Sequence, residues 1–153
     1  MHISARADYA VRAALELAVA VAGEEPTKGE LLAQSQGIPP KFLEAILSTL
    51  RKAGLVNSRR GADGGYWLAR PAKEISVADV VRAVDGPLAG VRGQRPEHVN
   101  YRGAAAELPQ VWIAVRANTR EVLERTSLAD VASGHLPAKV RRLAADPEAW
   151  TTR

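Results

Sequence analysis

Apolar residues recur at helical spacing over most of this chain, and the places where that spacing stops mark its elements. From Ser4 to about Ala22, Tyr9, Ala13, Leu15, Leu17, Val19 and Val21 are apolar. Asp8, Arg12 and Glu16 repeat every four residues on the wet side, which predicts a first helix. Gly23-Glu24-Glu25-Pro26 breaks it. Thr27, with Glu30 three residues on, reads as a capping box opening a short second helix. Leu31, Leu32 and Ala33 form its apolar side and Gly37 ends it. Pro39 and Pro40 open the next helix, because a first turn does not need every N–H. There Phe42, Leu43, Ile46, Leu47 and Leu50 form one buried stripe, opposite Lys41, Glu44, Ala45, Ser48, Thr49, Arg51 and Lys52. Gly54 is a C-cap signal. Two strand-like runs, 55–58 and 66–69, then flank the glycine-rich stretch Arg59-Arg60-Gly61-Ala62-Asp63-Gly64-Gly65, a hairpin signal.

The pattern turns helical again at Ser76, with Asp79 three residues later and Val80, Val81 and Val84 before Gly86-Pro87. Residues 88–107 have no clear period and contain Gly90, Gly93, Pro96 and Gly103, so a loop is predicted, with a helical turn near Ala104. A long helix follows from Leu108 to about Thr126. Leu108, Val111, Val115, Val122 and Thr126 approximate a heptad seam, with Trp112 beside it. No internal repeat is evident. The chain divides into 1–87, the loop 88–107, the long helix and its continuation 108–131, and a partly ordered tail 132–153. The predicted class is mainly α with a small β-hairpin wing: a winged helix-turn-helix, a shape that fits a DNA groove.

Composition sharpens this picture in two places. The 153 residues carry 21 Lys+Arg against 17 Asp+Glu, a net charge of +4. Residues 41–73 alone hold seven basic side chains and two acidic ones, so the excess sits on the helix-turn-helix and hairpin. A local basic patch attracts phosphate and releases counterions on binding. There is no cysteine, which excludes disulfides, thiolate metal sites and a cysteine-ligated iron–sulfur cluster. No apolar run reaches the ~18 residues of a membrane span, and charges within the N-terminal apolar stretch argue against a signal peptide. The cytoplasm is the expected compartment. His2, His98 and His135 are scattered, and no Ser/His/Asp set can be drawn. The glycines at 61–65 precede a strand, so no helix N-terminus is there to hold a phosphate. An enzyme is not expected.

DNA readout needs side chains on an exposed helical face, with cations or hydroxyls beside it for phosphates. Lys41, Glu44, Ala45 and Ser48 lie together near the start of the third helix. Glu44 can accept a hydrogen bond from a cytosine amino group, and Lys41 can reach guanine or a phosphate. Thr27, Lys28, Arg51 and Lys52 are candidate backbone anchors. In the wing, Arg59 and Arg60 can enter a narrow, electronegative minor groove. Gly61 shapes the tip, and Gly64 and Gly65 are expected to take positive φ and allow close approach to a sugar-phosphate chain. Strand alternation turns one of Tyr66 and Trp67 inward and the other outward.

An ordered set of motifs resembles the Rrf2 family of bacterial winged-helix transcription regulators. It comprises Ser4, Tyr9, Ala10, Arg12 and Ala13; Phe42-Leu43-Glu44; residues 50–56, LRKAGLV; 60–66, RGADGGY; 68–71, LARP; 75–87, ISVADVVRAVDGP; and 127–131, SLADV. The resemblance implies a homodimer on a near-palindromic operator, expected to repress. In it the helix from Leu108 pairs with its mate, the helix carrying Glu44 enters the major groove and the wing enters the minor groove. Members that sense iron, nitric oxide or redox state carry three cysteines in the loop after the equivalent of Gly86-Pro87. Here that loop has none, and Asp8 and His98 make poor substitutes. No cofactor is therefore expected; a metabolite or a partner protein is the expected effector. An effector pocket would be lined by Val91, Tyr101, Trp112 and Arg116, with Arg92, Arg95 and Arg102 attracting an anion. The alternatives are a winged-helix module for protein contact, and a regulator whose sensor is a partner enzyme.

Overall fold

The computed structural model describes residues 2–20 and 26–152. Helix α1 spans Ala5–Val19, opened by the Ser4 hydroxyl, which accepts from the Ala7 amide. Its buried face is Ala7, Ala10, Ala13, Ala14 and Leu17. The larger Tyr9 and Leu15 are only partly buried, and Val19 is 60% exposed. The buried stripe keeps the predicted Ala13 and Leu17 but otherwise runs along alanines rather than Tyr9, Leu15 and Val19, because other helices cross α1 closely and alanine leaves room for their side chains. The predicted last turn of this helix and the Gly23–Glu25 break lie outside the described residues.

Helix α2 (Gly29–Gln36) begins one residue later than a Thr27 cap requires. Its N-cap is Lys28, which makes no side-chain capping bond. Thr27 instead forms an antiparallel bridge with Tyr66, through Thr27 N–H to Tyr66 O at 2.9 Å and Tyr66 N–H to Thr27 O at 2.8 Å. Two ladder bonds hold its backbone extended, so the predicted capping box with Glu30 does not form. Gly37 ends α2 at φ +62, as its position predicts. Helix α3 (Pro40–Lys52) buries Leu43, Ile46, Leu47 and Leu50. Phe42 is the exception in the predicted stripe. It is 43% exposed and meets the Tyr9 ring edge-on at 5.6 Å, because its place on the helix faces the rim of α1 rather than the core.

Gly54 (φ +74) turns the chain out of α3, with Leu55 N–H closing onto Leu50 O at 3.0 Å. Strands β1 (Val56–Arg59) and β2 (Gly65–Leu68) pair antiparallel from Val56↔Leu68 to Arg59↔Gly65. The ladder is displaced one residue toward the tip from the prediction, since Leu55 N–H is spent on the helix end. Tyr66 packs on the core and Trp67 is exposed, so alternation holds.

Helix α4 (Val77–Asp85) carries the Ser76/Asp79 capping box that its sequence announces. Residues 88–107 hold single 3-10 turns at Pro96–His98 and Gly103–Ala105, the second at the predicted place. Helix α5 (Leu108–Leu123) leads to α6 (Leu128–Ser133), which returns to the core: Leu128 is fully buried. A second capping box, Ser127/Asp130, faces the first across a Ser76↔Ser127 bridge, with Val77 N–H to Thr126 O and Leu128 N–H to Ile75 O both at 2.9 Å. Thr126 is buried in this joint, its hydroxyl on Val122 O, and so is not part of the heptad seam. Beyond Gly134 come α7 (Ala138–Ala144) and a turn at Pro147–Trp150, with Lys139 paired to Glu121 of α5.

Candidate nucleic-acid interface

An open groove of about 680 Å³ lies between the start of α2, the outer face of α3 and the wing. Lys28, Lys41, Arg51, Arg59 and Arg60 line it against two carboxylates, Glu30 and Glu44. The uncapped start of α2 adds the positive end of a helix dipole. Ser48, Gly61, Gly64 and Gly65 complete the set of predicted residues that meet here. Three predicted residues do not line it: Thr27, whose backbone is held by Tyr66, and Ala45 and Lys52, both exposed on α3. Glu30, Ser58 and Tyr66 line it without having been predicted as DNA contacts. The signal for the last two was the register, which sets Ser58 opposite Tyr66.

Within the wing the two arginines differ. Arg59 folds back, its Nη2 donating to Asp63 O at 2.9 Å, and so braces the turn. Arg60 is exposed and has no side-chain partner among the described residues. Protein contacts alone already require both glycines. Gly64 is buried and does not have positive φ; a Cβ there would lie 2.2 Å from Arg59 O. Gly65 does have it, at +151°, and a Cβ would lie 2.6 Å from Thr27 O. Gly64 lacks a side chain because the backbone of the wing's own turn, Arg59 to Gly61, closes on it, and Gly65 because the strand entering α2 does.

Of the second predicted cluster, Tyr101, Trp112 and Arg116 make contacts on α5, whereas Val91 is bridged to Gln94. Trp112 Nε1 donates to the Tyr101 hydroxyl at 3.2 Å, and Arg116 pairs with Glu97 at 2.6 Å. The backbone amide of Glu97, and then Arg116, hold that carboxyl below the ordinary carboxylate range. Arg92, Arg95 and Arg102 are exposed. None of the sixteen residues of α5 is buried. Leu108, Trp112, Val115 and Val122 are half-buried along the side toward the rest of the chain, whereas Val111 is 52% exposed and Ile113 39%.

Helix, turn, helix and hairpin around a cation-lined groove define a winged helix-turn-helix, the architecture of a DNA-binding regulator. The comparisons agree on the kind of protein and on its kin. Residues 3–134 match the Rrf2 family, described as iron-dependent transcriptional regulators, and the chain belongs to that family. It is 53% identical over 146 residues to Rv1287 of Mycobacterium tuberculosis, whose name as an HTH-type transcriptional regulator is provisional; the match covers 95% of this chain and 90% of that one. Among solved structures it is similar to CymR, the global cysteine regulator of Bacillus subtilis. That match has a TM-score of 0.74 and 35% identity, over 88% of this chain and 98% of the other. The IscR of T. potens gives 0.70 and 32%, over 100% and 93%. The protein is a DNA-binding transcription regulator.

The donors for iron do not fit. The chain has no cysteine, and among the described residues no three His, Asp or Glu side chains converge on one point. Asp8 is paired with Arg12 at 3.1 Å. No described helix is long and apolar enough to cross a membrane.

Proposed function

We propose that this chain acts in the cytoplasm as a homodimeric repressor that binds a near-palindromic operator without a cysteine-ligated cluster. The observation that carries the reading is the groove, where five cations and the start of α2 converge on one open surface. Glu44 reads a base from α3, Lys28, Lys41 and Arg51 hold phosphates beside it, and Arg60 enters the minor groove. Thr27, Ala45 and Lys52 flank that contact. Repression follows from occupancy, since a dimer seated on a promoter excludes other proteins. The dimer rests on α5, a sixteen-residue helix with no fully buried residue, whose outer side leaves Val111 and Ile113 exposed for a mate to cover. Its effector is a metabolite or a partner protein, a reading supported by the lack of cysteine and by the lack of a three-donor cluster among the described residues.

A mobility-shift titration with the promoter of the protein's own gene tests this, run with and without chelator and across salt. A specific, chelator-insensitive shift that weakens steeply with salt is expected. A shift that needs added metal would overturn the cofactor-free reading, and salt-insensitive binding would overturn the groove. Two substitutions separate the contacts. Glu44→Ala should relax preference at one position in each half-site, at about 1–3 kcal/mol. Arg60→Ala should weaken binding to all sequences and lower the salt slope by about 1. Unchanged discrimination in the first, over a panel of operator variants, would mean that α3 docks differently. Intact affinity in the second, at moderate salt, would mean that the wing stays outside the groove.

A further inference from the structure

Arg12 sits on the side of α1 that the sequence marks as wet, yet its side chain is only 34% exposed and is spent almost wholly on protein. Its Nε donates to Gln36 Oε1 at 3.0 Å, and Nη2 donates to the Gln36 backbone carbonyl. Nη1 binds Asp8, and the guanidinium carbon lies 5.4 Å from the centre of the Tyr9 ring. Gln36 in turn donates from Nε2 to Glu16. These contacts meet at one place in the fold, the turn between α2 and α3. Gln36 is the last residue of α2 and precedes the left-handed Gly37. Its carbonyl belongs to the last turn of α2, where helix carbonyls lack helical partners and cations are favoured. On the other side of the turn Tyr9 meets Phe42, near the start of α3.

We propose that Arg12 is a positioning residue for DNA reading: it pins the end of α2 directly and the start of α3 through Tyr9, and so sets the angle at which α3 presents Glu44. The inference rests on the proposed use of α3 in the major groove. Arg12 itself lies away from the groove residues and touches no DNA. Base readout depends on placing short side chains against base edges, and a small rotation of α3 loses those bonds. Phosphate contacts made by flexible Lys and Arg side chains tolerate the same rotation. The planar guanidinium suits this work, because it holds a side-chain oxygen and a backbone carbonyl from one rigid fork. Lysine ends in a compact ammonium on a flexible stem and lacks that rigid fork, so it fixes the two oxygens less firmly.

This distinguishes positioning from plain stability. A variant that merely lowers the folded fraction weakens specific and non-specific binding by the same factor. A variant that tilts α3 weakens specific binding alone. The test uses the full chain and a duplex that the wild-type protein selects from a randomised pool, with a scrambled duplex of the same length as the non-specific probe. In Arg12→Ala, affinity for the selected duplex is expected to fall by about tenfold or more, the cost of one lost base contact. Affinity for the scrambled duplex and the salt slope should stay within about twofold of wild type. Arg12→Lys should fall nearly as far, and adding Gln36→Ala to Arg12→Ala should cost little more. Gln36→Ala alone gives the same readout should Arg12→Ala not fold. If both single variants keep the wild-type ratio of the two affinities, the positioning role is wrong. If the wild type itself selects no sequence, the reading of α3 fails first, and this inference with it.

Discussion

Val111→Asp is expected to yield a folded monomer that no longer holds its operator. Val111 is more than half exposed in the single chain, so the substitution touches no core contact and should change monomer stability by about 0.5 kcal/mol or less. The inner side of α5 stays anchored through Trp112–Tyr101, Arg116–Glu97 and Lys139–Glu121. In a dimer paired along α5 the same residue is covered, and a two-fold axis brings in each substitution twice. An unpaired carboxylate taken out of water costs several kcal/mol even after relaxation, about a hundredfold or more in dimer affinity. Each monomer would then bind one half-site and lose the gain from binding two, about 10²–10⁴. Sedimentation or sizing, with circular dichroism to confirm the fold, checks this directly. An intact dimer would place the seam elsewhere on the molecule. Val115 and Val122 are poorer probes, because both are half-buried against their own chain and would confound dissociation with misfolding.

The second large effect belongs to Gly65. In Gly65→Ala the new methyl would sit 2.6 Å from the Thr27 carbonyl oxygen and 2.7 Å from its carbon. That carbonyl accepts from Tyr66 N–H at 2.8 Å, so it cannot move without breaking the ladder that joins the wing to the strand before α2. Backbone at φ +151 adds its own cost for any side chain. Overpacking and strain each cost about 1–3 kcal/mol, so a total of about 2–6 kcal/mol is expected. Tyr66 would be pulled from its core contacts and Arg59 and Arg60 from the groove. Thermal unfolding should shift down, and operator binding should fall further than Arg60→Ala alone explains. Gly61→Ala is the control: Gly61 also has positive φ, at +102, but a Cβ there meets nothing within 4 Å. A wild-type melting point and affinity in Gly65→Ala would mean that the Thr27 contact is looser than its geometry states.

Much of the winged helix was legible along the chain, for a common reason. Helix stripes, caps and tight turns are local: a hydroxyl bonds an amide three residues away, and a glycine turns the chain where it stands. Leu43, Ile46, Leu47 and Leu50, the Ser76/Asp79 box, Gly37 and the hairpin all follow from spacing of this kind. The basic side chains of the groove were legible as well, because α3 and the wing are neighbours in sequence.

Contacts between distant segments were not legible. Thr27 has the composition and spacing of a cap, and became a strand residue because Tyr66, 39 positions on, offered two ladder bonds that a single capping bond could not outweigh. Ser127 repeats the pattern of Ser76, but nothing local says that the two would dock on one another and return α6 to the core. Positive φ was read correctly at Gly65 and wrongly at Gly64, and the contact of Gly65 with Thr27 was not legible, since only the folded chain brings that strand beside the wing. Arg12 shows the limit most plainly. Its fourfold spacing with Asp8 and Glu16 puts it on the polar side of α1, and that is where it lies. What it does there depends on Gln36 arriving at the same point from the end of another helix. Periodicity specifies which side of an element faces the core, whereas the partner of a polar side chain is set by how whole elements pack.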